Sequence, residues 1–372
     1  MELTPATIVS YLVERGIVPQ TSASELVVNP SVRRNRNFKI LRRGHPGYFV
    51  KQAKEPDAGR TLKREALCYR RAGEDPVLRP LANLMPRFVD YDEERHVLVV
   101  ELFSGAETLY EHFLRERAFT PEIGALLADG LATYQSELGR RLRGEVDDET
   151  FPGTLPWLFT AIDEPEWFHG WFGDAGATLL SWLRGHPDFV AAIRRVAARW
   201  RRDTLIHGDL KWDNCLLVRE PSGRRSLRLV DWELADVGDA RWDLGGVIQA
   251  FLVSWSSWSG YGVDISAVQP AIRGFWGRYI EARQLPRDQI DVLLQQSIEC
   301  AALRTAQSAL ELVYGSAEIT PGATETADLA LRMVSSPTEA IAEQLGLRGI
   351  TWLGGGVRPT PPRRVERFVA AR

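Results

Sequence analysis

The sequence predicts an α+β chain folded as two lobes around a cleft. An antiparallel sheet with one helix forms the N-terminal lobe, and a larger, mainly helical lobe follows. Three observations predict this. Residues 20–103 read as strands interrupted by a single helix, and helical patterns dominate after Phe103-Ser104-Gly105. Between the later helices sits one hairpin, flanked by short runs of carboxylate and amide residues. The chain therefore divides into residues 1–103, 104–345 and 346–372, the last a basic tail rich in glycine and proline.

Thr4-Pro5 reads as a cap and first-turn proline, with Ile8, Val9, Leu12 and Val13 at helical spacing and Gly16 as the stop. Leu26–Val28 and Phe38–Leu41 read as strands, with a turn at Asn29-Pro30-Ser31. His45-Pro46-Gly47 is a second turn into the strand 48–52, where Phe49 and Lys51 share one face and Tyr48 and Val50 the other. Leu62–Arg71 is a helix with an apolar stripe of Leu62, Ala66 and Tyr69 and with Glu65 beside it. Arg87–Tyr91 and His96–Leu102 form a hairpin whose second strand is almost wholly apolar, as a central strand should be. A long helix opens at Thr120-Pro121-Glu122 and runs to Leu138, followed by a polar loop over 141–155. An aromatic segment spans Trp157 to Trp182, and Asp188–Arg202 is helical. Cys215–Val218 and Ser226–Val230 form the central hairpin, turning at Pro221-Ser222-Gly223. Helices follow at 240–256, 266–284, 286–314, 325–335 and 337–345.

At 372 residues and 44% hydrophobic content the chain can bury one large core or two lobes. A formal charge of −3 argues against a general nucleic-acid binder. Cys68, Cys215 and Cys300 are odd in number, far apart and in apolar settings, which fits free thiols in a reducing compartment. The acidic N-terminus is no signal peptide, and no run approaches the roughly 18 apolar residues of a membrane span. A cytoplasmic protein is expected, with neither nucleic acid nor membrane as partner.

The chemistry concentrates in Leu205-Ile206-His207-Gly208-Asp209-Leu210-Lys211-Trp212-Asp213-Asn214 and in Val230-Asp231-Trp232-Glu233. The hairpin between them folds the chain back, so that Asp209, Asn214 and Asp231 converge. Three hard oxygen groups at that spacing suit magnesium and a nucleophilic hydroxyl, as phosphoryl transfer requires. The expected donor and ion are ATP and Mg2+. Lys51 would hold the α and β phosphates, and Glu65 would pair with it. Glu101-Leu102-Phe103 would offer a carbonyl and an amide to adenine. Asp209 is the expected base, with Lys211 close to the transferring phosphate and Asn214 and Asp231 as metal ligands. His207 reads as a residue that holds backbone rather than a catalyst. Glu233 is either a second metal contact or a turn-former. The tryptophans read as packing residues or, for a minority, as the lining of a substrate groove. Arg33, Arg34 and Arg36 read as a solvated charge run sooner than a phosphate clamp.

H-G-D-L-K-W-D-N followed by L-V-D-W-E resembles the catalytic and metal motifs of the aminoglycoside phosphotransferase and choline kinase group. That resemblance implies the two-lobed protein-kinase-like fold over roughly residues 25–310. It also implies that Asp243, in Ala240-Arg241-Trp242-Asp243-Leu244-Gly245, buttresses the catalytic loop. Relative to the protein-kinase pattern, Gly208 replaces an arginine and Glu233 a glycine, changes usual in the small-molecule branch. One departure is the missing G-x-G-x-x-G before Lys51. In its place stands the hairpin of residues 29–37, whose Ser31, Arg34, Asn35 and Asn37 are the candidate phosphate contacts. The acceptor is either a small alcohol, aminoglycoside-like, or Ser/Thr of a precursor peptide. The R-N-x-N hairpin and G-Y-F-V-K-Q strand are similar to phosphotransferase-like proteins of ribosomal peptide modification pathways (thioamide peptides, one lanthipeptide class). There phosphorylation precedes elimination to dehydro residues, which implies a partner enzyme. The reading of another class is a catalytically silent kinase-like binding module.

Overall fold

The computed structural model describes residues 2–32, 35–54, 56–144 and 150–347. The tail beyond 347, and with it the basic Gly/Pro-rich segment, lies outside the described residues, as do Arg33 and Arg34. The fold is the expected two-lobed α+β kinase-like architecture. After the short helix α1 (Ile8–Glu14) come β1 (Leu26–Val32), β2 (Arg36–Arg42), β3 (Gly47–Gln52), α2 (Pro56–Glu74), α3 (Arg79–Ala82), β4 (Phe88–Asp92) and β5 (Val97–Leu102). The five strands form one antiparallel sheet in the order β1-β2-β3-β5-β4.

Period-two alternation explains how this sheet is covered on both faces. Phe38, Ile40, Tyr48, Val50, Val97 and Val99 form a small core with Ile8, Tyr11 and Leu12 of α1. Leu98 and Val100 turn the other way, onto Leu62, Ala66 and Tyr69 of α2, and join the main core. The apolar β5 sits inside the sheet, as expected. The turn expected at Asn29-Pro30-Ser31 is instead part of β1, with Pro30 opposite Phe38. β1 is an edge strand, so the missing N–H of Pro30 can face outward at no cost to the ladder.

The rest of the chain contains β6 (Glu107–Thr108), α4 (Leu109–Glu116), α5 (Pro121–Tyr134), α6 (Glu137–Arg143), α7 (Trp157–Asp163), α8 (Pro165–Arg184) and α9 (Pro187–Ala198). β7 (Thr204–Ile206), β8 (Cys215–Arg219), β9 (Arg225–Leu229) and β10 (Asp236–Gly238) follow. Last come α10 (Ala240–Ser259), α11 (Gln269–Arg283), α12 (Arg287–Glu311), α13 (Pro321–Ser335) and α14 (Pro337–Glu339). The hairpin β8–β9 forms with Cys215 opposite Leu229, and β7 pairs with β10. The helix expected from 120 to 138 breaks at Gln135. Ser136 Oγ accepts the Leu138 N–H at 3.1 Å and caps α6, and the Gln135 side chain bonds Ala240 O and Tyr279 Oη. The loop expected from 141 is helical to Arg143. No helix among the described residues is long and apolar enough to cross a membrane. Cys68, Cys215 and Cys300 are buried free thiols, and burial pushes Cys68 and Cys300 up to about 12.

Candidate active site

Lys51 leaves β3 toward α2, the direction its place beside Phe49 requires. Its ammonium donates to both Glu65 oxygens at 2.9 and 2.8 Å and to Asp231. Tyr69, one turn along α2, donates its hydroxyl to Glu65 Oε1 at 2.6 Å and accepts the Asp231 N–H at 3.0 Å. One tyrosine thus ties the lysine's partner to the residue that closes β9. Asp231 has φ +70° and ψ +52°, a left-handed conformation that is uncommon outside glycine. Its bonds to Tyr69 and Lys51 hold it there.

The second cluster is built on the segment between β7 and β8. Gly208 has φ +80°, and a Cβ on it would lie 2.5 Å from Leu234 O, so only glycine fits this turn. Asp243 on α10 accepts the His207 N–H at 2.6 Å, the Gly208 N–H at 3.1 Å and the Tyr134 hydroxyl at 2.8 Å. With the loop so anchored, Asp209 Oδ2 receives Lys211 Nζ at 2.6 Å and Asn214 Nδ2 at 3.3 Å. Asn214 Nδ2 also donates to Asp209 O at 2.9 Å, which leaves its amide oxygen for another partner.

His207 holds backbone. Its Nε2 lies 3.0 Å from Val230 O and its Nδ1 accepts the Asp209 N–H at 3.4 Å, an arrangement that fits the neutral ring protonated at Nε2. Burial lowers its pKa below the ordinary histidine value, against the pull of Asp243 and Asp209. The unfolded chain then binds the extra proton more readily, so His207 costs stability as pH falls through the ordinary histidine range. Chemical denaturation from about pH 7 to pH 5 should show a loss of unfolding free energy that is shallower in His207→Gln. Identical pH slopes would remove this role.

The carboxylate oxygens of Glu65, Asp231 and Glu233 lie within 4.8 Å of one another. Burial would lower Lys51, but Asp231, Glu65 and Glu233 together raise it well above the ordinary lysine value. Burial pushes Glu65 up to about 7 despite Lys51, with Asp231 and Glu233 adding to the rise. Burial would raise Asp231 too, yet Lys51, Lys211 and His207 hold it below the usual carboxylate range. The three carboxylates bring hard oxygen donors together around Lys51. That donor set fits a divalent cation such as Mg2+. Glu233 stands at this cluster, and its Oε2 receives Asn35 Nδ2 from the β1–β2 hairpin at 3.1 Å.

Glu101 and Phe103 engage other partners. The Glu101 N–H donates to Arg87 O at 2.9 Å and its carboxylate meets Arg87 Nε, while Phe103 O accepts from Ala106 N at 3.3 Å. The aromatic segment is partly packed and partly exposed. Trp157, Phe168 and Phe172 stack on one another, whereas Trp167 and Trp171 are exposed. Three contributors escaped the sequence reading. Tyr69 looked like one more apolar stripe residue. Arg304 of α12 donates to Gly208 O and Leu210 O, both at 3.2 Å. Glu311, exposed at the end of α12, accepts from Gln307 Nε2 at 2.9 Å, and the nearby charge of Asp209 raises its carboxyl.

A strand lysine fixed by a helix glutamate, facing an aspartate on an anchored loop, defines a kinase-like phosphotransferase. The model of the phosphotransferase enzyme family matches residues 25–278, and the chain belongs to that family. It is a phosphotransferase that acts on hydroxyl groups. No curated protein matches the sequence significantly. Among solved structures it is similar to a choline kinase from Cryptosporidium parvum, with 14% identity over 94% of this chain and 99% of that one and a TM-score of 0.58. An ethanolamine kinase from Plasmodium vivax has 14% identity, 87% and 86% coverage and a TM-score of 0.55. An ADP-bound aminoglycoside phosphotransferase has 15% identity, 88% and 98% coverage and a TM-score of 0.52. At these identities the likenesses establish the fold.

Proposed function

We propose that the chain moves the γ-phosphoryl group of ATP to an acceptor alcohol, with Asp209 as base. The observation that carries this is the bonded set Lys51–Glu65–Asp231 beside the loop that presents Asp209. In this reading residues 1–103 are the nucleotide lobe and 104–345 the catalytic and acceptor lobe. Lys51, kept charged by its three acids, grips the α and β phosphates, and Glu65 fixes its direction. The carbonyl of Glu101 and the N–H of Phe103, not the groups bonded to Arg87 and Ala106, meet adenine. Asn214 and Asp231 would hold Mg2+, which when bound supplies charge neutralisation between the phosphates. Asp209 orients the acceptor hydroxyl and takes its proton, and Lys211 neutralises charge on the transferring group. The ADP in the aminoglycoside phosphotransferase named above supports a nucleotide donor. ATP as donor and three free thiols support the cytoplasm as location.

The acceptor favoured by fold analogy is a small alcohol. One observation favours the second reading, Ser or Thr of a precursor peptide handed on to a partner enzyme. Trp171 and Tyr314 are 56% and 61% exposed, and Tyr314 lies one turn beyond Glu311. Half-buried Phe172, next to Trp171 in the chain, meets Tyr314 edge to face at 5.4 Å, so α8 and the end of α12 touch through aromatic side chains. Phosphate transfer from radiolabelled ATP, measured against a panel of amino alcohols and aminoglycosides and against Ser/Thr peptides, separates the two. Calorimetry with magnesium-ATP tests the ground shared by both. No heat of binding would leave only the silent binding module.

A further inference from the structure

The segment that presents Asp209 carries no arginine of its own; Gly208 occupies the position before the aspartate. A guanidinium nevertheless reaches it from far along the chain. Arg304, on α12, is 4% exposed. Its two terminal nitrogens donate to Gly208 O and Leu210 O, each at 3.2 Å, and one of them lies 3.5 Å from Asp209 Oδ1. The guanidinium also lies over the Trp242 ring at 5.4 Å, and Trp242 Nε1 itself donates to Gly208 O at 3.4 Å.

The approach is built into the helices. A Cβ on Gly245 would lie 2.6 Å from Ala301 N, so this glycine lets α10 and α12 touch backbone to backbone one turn before Arg304. A Cβ on Gly246 would come 3.7 Å from Arg304 Nε. A buried arginine at this depth is costly unless its donors are met; the carbonyls of Gly208 and Leu210 meet its two terminal nitrogens, while its Nε has no hydrogen-bond partner among the described residues. Only a planar fork can span two carbonyls in this way, which lysine cannot do.

We propose that Arg304 is the positioning residue of the catalytic loop. It clamps the carbonyls of Gly208 and Leu210, the residues before and after Asp209, and sets the carboxylate from the side opposite Lys211 and Asn214. This rests on Asp209 being the base. Asp243 anchors the N–H groups that lead into the loop and Arg304 anchors the carbonyls, so each end of the turn has its own support.

The test uses the full chain and hydrolysis of magnesium-ATP by water as the probe reaction. Arg304→Met should lower kcat by about 100-fold, the cost of a small misplacement of a reacting group. The KM for ATP should stay within about threefold, because the phosphate-holding groups are untouched. Amide exchange at residues 207–210 should speed up about tenfold while the β8–β9 hairpin keeps its protection. Arg304→Lys should recover only part of the lost rate. Parental kcat in Arg304→Met, a parallel loss of kcat and ATP affinity, or unchanged loop exchange would each overturn the proposal. If Arg304→Met does not fold, Arg304→Lys decides alone: full activity there shows that spanning both carbonyls is dispensable. Asp209→Asn serves as the control. Retained hydrolysis in that variant removes the base assignment itself. Loss there with full activity in Arg304→Met overturns only the clamp.

Discussion

Asp209→Asn should keep magnesium-ATP affinity within about threefold of the parent and lower kcat by about 1,000-fold or more, the range expected for loss of a positioned general base. The reason lies in what surrounds the carboxylate. Oδ2 accepts from Lys211 and Asn214, and Oδ1 faces Arg304. Each of these three is a donor. An amide keeps the shape but must turn its NH2 toward one of them and loses an acceptor. It also has no basicity to offer a hydroxyl. In the proposed reading the phosphates rest on Lys51 and, through Mg2+, on Asp231 and Asn214; of these only Asn214 touches Asp209, so binding should survive. Calorimetry for ATP and single-turnover transfer to any acceptor found by the panel separate the two quantities. Turnover near the parental value would sink the assignment of Asp209.

Much of this site was legible because its chemistry is local in sequence. Asp209, Lys211 and Asn214 stand within six residues, and the β8–β9 hairpin that returns the chain to Asp231 announces itself by its turn. Lys51 and Glu65 could be placed from the two periods alone, two along β3 and 3.6 along α2. What escaped is what comes from a distance. Arg304 lies on α12, which buries Glu299, Arg304, Thr305 and Gln307 among apolar neighbours on nearly every side. Such a helix shows no polar face to contrast with, so its arginine gave no periodic signal. The short α4 went unread although Thr108 and Glu111 form a capping box, a signal that was available. The turn assigned to Asn29-Pro30-Ser31 failed for the opposite reason. A local rule for proline was applied where only the strand's place at the sheet edge decides. Gly139 marks the break after α5, since a Cβ there would lie 1.8 Å from Tyr134 O, a contact no local pattern reveals.

Asp243→Ala should be the most destabilising single change near the site, by roughly 3–5 kcal/mol, with catalysis lost alongside. Asp243 is 1% exposed and accepts three hydrogen bonds, from His207 N–H, Gly208 N–H and the Tyr134 hydroxyl. Alanine leaves all three donors buried without an acceptor, and each such group costs about 1–3 kcal/mol. Part of this is recovered, because burial already holds the Asp243 carboxyl above the usual range and its removal relieves that desolvation. Asp243→Asn is the sharper variant. It preserves volume, yet its NH2 must face at least one of three donors, so it should lose most of the same stability. Tyr134→Phe removes one donor together with its need for a partner and should cost only about 1 kcal/mol. The fall in Tm should follow the order Tyr134→Phe, then Asp243→Asn, then Asp243→Ala. Because the loop amides bonded to Asp243 precede Asp209 directly, both Asp243 variants should also lose kcat by at least 100-fold at temperatures where they remain folded. An Asp243→Asn protein with parental Tm and parental turnover would show that the turn at Gly208 holds without its carboxylate. The anchoring of the base would then fall to Arg304 and to the β7–β10 pair alone.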